Sequence, residues 1–349
     1  MSMKEGWVYV LRERDFLTGQ TDRYVKIGLT KNEVELRNKD HQTGNPRHIF
    51  TVFEMHAPLM TMMENHLHHV YSSDRIHGEW FDLDDARVNN ELIPLIQRLA
   101  LEQADTKPHM EAVAQLKKQH DTGLERAPTA AETALHAAYV DAKHAHDLAK
   151  ARHTIIDSTI RAMIGSSSGI EGVVEVSRKP RGATFNATAF KALLTEAELA
   201  QCHESGTEFK ASTPKFTGTQ TVKKLDAQLF DDRKAAKDAI TSPATTANLG
   251  QAVTPRDATA EQVHADYLAS RRTVREAEWA KVRAENALLA ALGQDRALTG
   301  LVEWVREDVT YADRWSADLA KQHFPKRYEQ CMEAQPDTVD VKIAEGHAY

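Results

Sequence analysis

Three side chains near the start of the chain could act together if the fold brought them close. Arg37 and His41 are four residues apart, so on a helix they share one face. Glu64 falls in a stripe with Met60, Leu67, His68 and Tyr71, the apolar side of a second helix. A carboxylate on that side costs free energy unless a cation or hydrogen-bond donors compensate it; a divalent metal or Arg37 could do so. Between Arg23 and Arg47 lie six basic residues (Arg23, Lys26, Lys31, Arg37, Lys39, Arg47) against three acidic ones. Such a strip could track phosphates. His66, His68, His69 and His77 suggest zinc by composition, but His66 and His68 point to different helix faces and no cysteine is near.

The elements that must hold these residues can be read from hydropathy and breakers. Gly6–Leu11 is apolar on both faces and predicts an interior strand. Arg23–Leu29 alternates, with Val25, Ile27 and Leu29 on one side and Tyr24, Lys26 and Gly28 on the other. Asn32 suits a helix cap, and Gly44 lies just past that helix. His48–Met55 predicts a third strand, and a second helix follows Pro58 to about Tyr71. Glu79–Leu83 predicts an edge strand, with Trp80 and Phe81 in the core, and a last helix covers about Ala86–Leu101. The expected fold class is α+β: a small β-β-α-β-α domain over residues 1–103, then two duplicated modules of long helix plus hairpin.

The duplication shows at an offset of 128. His136, Ala137 and Tyr139 fall on His264, Ala265 and Tyr267, Gly165 on Gly293, Gly172 on Gly300, and Arg178 on Arg306; Leu135–Arg178 holds 10 identities in 44 aligned pairs. Cys202 pairs with Cys331 after one residue of slippage, which suits small buried packing residues. Each copy opens with a breaker-free stretch, Pro128–Gly165 and Pro255–Gly293, long enough for a rod-like helix ending at a glycine. A short strand pair and a shorter helix follow, the second copy's helix split by Pro325. The modules are placed at 132–218 and 260–349, with polar linkers at 104–131 and 219–259. Arg271, Arg272, Arg275, Lys281 and Arg283, interleaved with Glu276, Glu278 and Glu285, read as a solvated helix face.

At 349 residues, 27% charged and 41% hydrophobic, the chain suits two or three compact units. Lys plus Arg total 44 against 51 Asp plus Glu, a net charge of −7. Bulk charge therefore cannot hold it to nucleic acid or membrane. Its start does not read as a signal peptide, and no apolar run approaches the roughly 20 residues that span a bilayer. Two cysteines exclude a disulfide framework. A cytoplasmic protein of a bacterial or phage-infected cell is expected.

The motifs Trp7-Val8-Tyr9, Lys26-Ile27-Gly28-Leu29-Thr30, Arg37, Thr43-Gly44-Asn45-Pro46, Glu64 with Leu67-His68, and Gly78-Glu79-Trp80-Phe81 occur in this order. Together they resemble the GIY-YIG endonuclease superfamily, and more closely its phage-type branch, over residues 6–83. The resemblance implies a metal-dependent nuclease in which Tyr9 is the general base or positions water. It implies further that Arg37 stabilises the phosphate under attack, Glu64 binds a divalent metal ion (Mg²⁺, or Mn²⁺), and His41 assists proton transfer. Lys26 stands where the second motif carries tyrosine; projecting beside Tyr9, it would lower the phenol pKa. The tandem modules more faintly resemble the segment appended to YqaJ-type phage recombination nucleases.

The sequence therefore points to a DNA endonuclease whose helical arms position DNA, join a protein partner or form a homo-oligomer. Its catalytic side chains would be Tyr9, Lys26, Arg37 and His41, its metal ligand Glu64, and its nucleic-acid contacts Arg23, Lys31, Lys39 and Arg47. The alternative is a catalytically weak nucleic-acid-binding adaptor or host-defence antagonist acting through the arms. No membrane partner is expected.

Overall fold

The computed structural model describes residues 3–240 and 243–346. Its N-terminal head is built on an antiparallel sheet of β1 (Gly6–Arg14), β2 (Thr21–Thr30), β3 (His48–Ala57), β4 (Arg75–His77) and β5 (Trp80–Asp82), ordered β3-β1-β2-β5-β4. β1 lies between β2 and β3, so both its edges are paired, and both its faces are packed. Val8 and Val10 join Val25 and Ile27 in the main core, while Tyr9 and Leu11 pack with Val34 and Ile49 on the opposite face. Helix α1 (Val34–Gln42) lies on the Tyr9 face and α2 (Met60–Val70) on the Val8 face. The helix cap differs from expectation: Glu33, not Asn32, precedes α1, without a side-chain capping bond. The edge differs too. Gly78, at φ 56°, turns the chain so that β4 covers β5 and becomes the border strand.

Helix α3 (Asp85–Arg87) continues through a π turn at Val88–Leu92 into α4 (Ile93–Leu116). Pro94 is the second residue after that turn and has no N–H to donate, which suits the wider turn before it. The helix runs deep into the stretch read as a linker, burying Thr106, Met110, Val113 and Leu116. Its narrow apolar stripe explains the weak periodicity there.

After β6 (Glu125–Arg126) comes α5 (Ala130–Ile164), capped by a reciprocal Thr129–Glu132 box. Then follow β7 (Gly169–Ile170), β8 (Val174–Lys179), β9 (Thr184–Phe185), α6 (Ala187–Ala192), α7 (Glu196–Ala200), β10 (His203–Ala211) and β11 (Lys215–Phe216). In the stretch read as the second linker lie α8 (Val222–Leu225) and α9 (Ala227–Asp238), and the second copy follows with α10 (Ala258–Leu292), β12 (Ala297–Leu298), β13 (Val302–Glu303) and β14 (Arg306–Trp315). It ends with α11 (Ala317–His323), α12 (Pro325–Gln330), β15 (Met332–Glu333) and β16 (Thr338–Ile343). Pro325 opens α12, splitting the short helix as expected; the first copy is split at the same place by the Thr195–Glu198 capping box. Gly165 and Gly293 end the long helices at φ 56° and 63°, but with ψ of −124° and −135°. That region is outside the left-handed helical basin and open essentially to glycine alone.

The two copies exchange strands. Strand β10 of the first copy pairs with β14 of the second, and β16 of the second pairs with β8 of the first. Registers match: Arg306 faces Ala211 and Arg178 faces Val339, each residue 128 from its counterpart. The Asn186 amide donates to the Cys331 carbonyl and the Ser316 amide to the Cys202 carbonyl, both at 2.9 Å. Both cysteines are buried in one cluster with Phe190 and Ala320. Helices α5 and α10 run antiparallel, since Tyr139 meets Leu288 and Leu292 at one end and Ile160 and Ile164 meet Ala260 at the other. The tail is thus a covalently joined pseudo-dimer with an internal two-fold relation.

The head sits on one of its two long helices. Trp279 of α10 enters the head core, its indole N–H donating to Glu102 at 2.7 Å, and Arg283 bridges the same carboxylate at 3.0 Å. The pseudo-equivalent residue on α5 is Ala151, covered by Val222 and Leu229 of α8 and α9. The stretch read as the second linker therefore packs on α5. The basic face of α10 is likewise part interface, with Arg271 8% exposed and paired to Glu345.

Candidate functional site

The Tyr9 side of the sheet gathers the residues that the sequence singled out. Tyr9 points across β2, where Gly28 lies opposite in the strand register. A Cβ at Gly28 would come within 2.5 Å of the phenol oxygen, so the glycine makes room for the ring. The hydroxyl lies 3.1 Å from Nε2 of His41, and the Arg37 guanidinium is near enough for its charge to act on it. Arg37 and His41 reach it together because they are one turn apart on α1. With the Arg37 charge favouring electron density on the phenol oxygen, the hydroxyl can donate its proton to Nε2 of a neutral His41.

Charge and burial set the protonation of this group. Burial pushes the Tyr9 pKa up, and the nearby Arg37 cation opposes it only in part. The expectation that Lys26 would lower the phenol pKa fails, because Lys26 turns to Glu79 and forms a hydrogen-bonded ion pair there. His41 is pushed below the ordinary histidine value by burial and by the Lys26 and Arg37 charges, so its ring is neutral near pH 7. Arg37 is held charged, chiefly by its interaction with the Tyr9 oxygen.

Glu64 enters from α2. Burial, then the neighbouring charge of Glu79, raises its carboxyl to about 7, with Lys26 and Arg75 opposing. It forms no hydrogen bond or ion pair among the described residues. Its ring-bearing neighbour His68 donates to the Ile27 carbonyl at 2.9 Å, which fixes α2 against β2. Glu79 was legible only as part of a motif, without a role. Burial would raise its pKa, but the Lys26 hydrogen bond and charge hold it below the usual value.

An unpartnered, half-buried carboxylate beside a second carboxylate fits a hard divalent cation that keeps several waters and takes further oxygens from a phosphate. Among the described residues, no three His, Cys, Asp or Glu side chains gather as a ready-made metal cage. Of the zinc-suggestive histidines, His66 is buried with its pKa pushed down to about 3 and its Nε2 without a hydrogen-bond partner among the described residues, and His69 bonds the Asn65 carbonyl.

The basic strip is largely neutralised within the head. Arg23 pairs with Asp82 at 2.5 Å, Lys39 with Glu35 at 3.3 Å, and Arg47 lies 3.7 Å from both Glu13 and Asp22. Lys31 is exposed and forms no ion pair among the described residues. Trp80, read as core, is instead half-buried, while Phe81 is fully enclosed. In an antiparallel pair directly opposed residues share a face, and Trp80 lies opposite Lys26.

Residues 6–99 match the family model described as the T5orf172 domain, a domain found in phage endonuclease-related proteins. This match supports a nuclease-like or DNA-binding role for the head. No curated protein and no solved structure matches the chain. No helix among the described residues is long and apolar enough to cross a membrane.

Proposed function

We propose that the head is a metal-dependent DNA endonuclease that hydrolyses phosphodiester bonds. The observation that carries this reading is the Tyr9–His41–Arg37 group, with the unpartnered Glu64 carboxylate near enough for its charge to raise the phenol pKa, drawn from three separate elements, β1, α1 and α2. Glu64 would hold the metal, Mg²⁺ or Mn²⁺, which when bound supplies a Lewis acid and a more acidic water. Arg37 neutralises charge building on the non-bridging phosphate oxygens. Tyr9 orients the attacking water and takes its proton as the phenol's own proton passes to the neutral Nε2 of His41. Glu79 anchors Lys26, holding its ammonium where the phosphate or leaving oxygen arrives.

The tail gives the head a rigid base. Its pseudo-dimer, fixed to the head through Trp279, is suited to positioning DNA or to meeting a protein partner or a second chain. One observation favours a second reading, a non-cleaving DNA-binding adaptor: Tyr9 is 1% exposed, which leaves little room for an attacking water at its hydroxyl. Incubating plasmid with the protein and Mg²⁺ or Mn²⁺ separates the two. Nicking lost in both Glu64→Ala and Arg37→Ala supports the nuclease; nicking that survives both removes the site assignment; binding without cleavage under either metal selects the adaptor.

A further inference from the structure

Beside Lys26 and Glu79, on the same side of the sheet, an open cavity of about 390 Å³ is lined by Tyr24, Trp80, Ile76, His77, Glu13 and Asp22. This volume lies within the roughly 300–1,000 Å³ of small-ligand sites. Strand geometry fixes its relation to the reacting groups. Tyr24 is two residues from Lys26 on β2 and so shares its face, and Trp80 pairs with Lys26 across the strands and directly follows Glu79. Neither the Tyr24 hydroxyl nor the Trp80 indole N–H has a hydrogen-bond partner among the described residues. Tyr24 is 37% exposed, much for an aromatic side chain in the interior of a sheet.

We propose, resting on the nuclease reading, that this cavity takes one unpaired base of the DNA, adjoining the phosphate that is cut. Two aromatic rings with free faces suit stacking on a base, which is tolerant of base identity. The rim selects a base over a phosphate. Glu13 and Asp22 repel phosphate but can accept from the exocyclic amino group of adenine or cytosine. Arg47, 3.7 Å from both, holds them in place without closing them off. Asn45 donates to Glu13 at 2.6 Å and completes the support. The base enters by leaving its stack, which is least costly where it is mismatched or already single-stranded. The substrate class is therefore DNA with an unpaired nucleotide next to the scissile bond, adenine or cytosine preferred over thymine.

The test maps the cut on an oligonucleotide duplex, then places a single mismatch, an abasic analogue or 2-aminopurine at each flanking position. With the full-length protein, a mismatch at one flanking position is expected to raise kcat/KM, and an abasic residue there to remove the gain. Trp80→Ala and Tyr24→Ala should each lower kcat/KM on that substrate by about tenfold to a hundredfold, the range of lost base stacking. Trp80→Phe should keep most of the activity, which separates lost stacking from lost folding. In Ca²⁺ with Glu64→Ala protein, 2-aminopurine at that position alone should change its fluorescence, and adding Trp80→Ala should abolish the change. Wild-type cleavage with no position dependence, or undiminished in Trp80→Ala and Tyr24→Ala, overturns the pocket and leaves the nuclease standing. Absence of both cleavage and DNA binding by wild type overturns the nuclease reading and the pocket with it.

Discussion

Replacing Gly28 by alanine tests how the site is built. The new methyl carbon would stand 2.5 Å from the Tyr9 oxygen and 2.6 Å from the ring carbon bearing it, closer than any tolerated contact. Tyr9 is 1% exposed and packed among Leu11, Val34 and Ile49, so the ring cannot swing away freely. Overpacking of this kind costs about 1–3 kcal/mol. A smaller gain of roughly 0.4–1 kcal/mol from the stiffer unfolded chain offsets part of it. Displacing the phenol also breaks its 3.1 Å contact with His41, a neutral hydrogen bond worth about 1 kcal/mol. The expected result is a net loss of about 2 kcal/mol, together with a fall in DNA cleavage of at least tenfold. A double-mutant cycle with Tyr9→Ala is the measurement: Gly28→Ala should cost much less stability in that background, giving a coupling of about 1–2 kcal/mol by chemical denaturation. Equal costs in both backgrounds would refute the close approach as the reason for glycine, and with it the orientation assigned to Tyr9.

Other perturbations reach different parts of the molecule. Glu64 binds its proton more tightly in the folded state, so wild type should lose stability relative to Glu64→Gln as pH rises from about 4.5 to about 7. Above pH 7 the variant should be more stable by roughly 1–3 kcal/mol after allowance for solvent screening, and Mg²⁺ should raise the melting midpoint of wild type only; a difference independent of pH, or larger at low pH, contradicts this. Arg306 is fully buried, donates to the Leu116 and Gly293 carbonyls, and so joins the ends of α4 and α10, whereas its repeat partner Arg178 is 69% exposed in its side chain. Arg306→Met should therefore cost about 2–4 kcal/mol and Arg178→Met under about 0.5 kcal/mol in thermal unfolding; similar costs would count against the assigned asymmetry. Trp279→Ala should cost about 3 kcal/mol or more and make the head separately susceptible to limited proteolysis, whereas unchanged digestion would show that Trp279 does not carry the head–tail joint.

Local pattern was enough to read much of the head. The strand at Gly6 is interior because it is apolar on both faces, and Arg37 and His41 reach one phenol because four residues make about one helical turn. Glu64 was conspicuous as a charge in an apolar stripe. The duplication, too, was visible as an offset of 128, because identical residues at fixed separation need no fold to be recognised.

What no local pattern carries is which surface meets which. Lys26 could have served Tyr9 or a carboxylate; the short β4–β5 turn decides it by placing Glu79 within reach. Trp80 and Phe81 are equally apolar in sequence, yet alternation across a strand whose two faces differ in cover buries one and leaves the other lining a cavity. The basic face of α10 became an interface because the head happens to dock there, and the repeats proved to be interlocked because β10 and β16 each find their partner in the other copy. Composition and periodicity specify the faces of single elements; pairing, docking and exchange are settled by long-range complementarity, which only the folded chain contains.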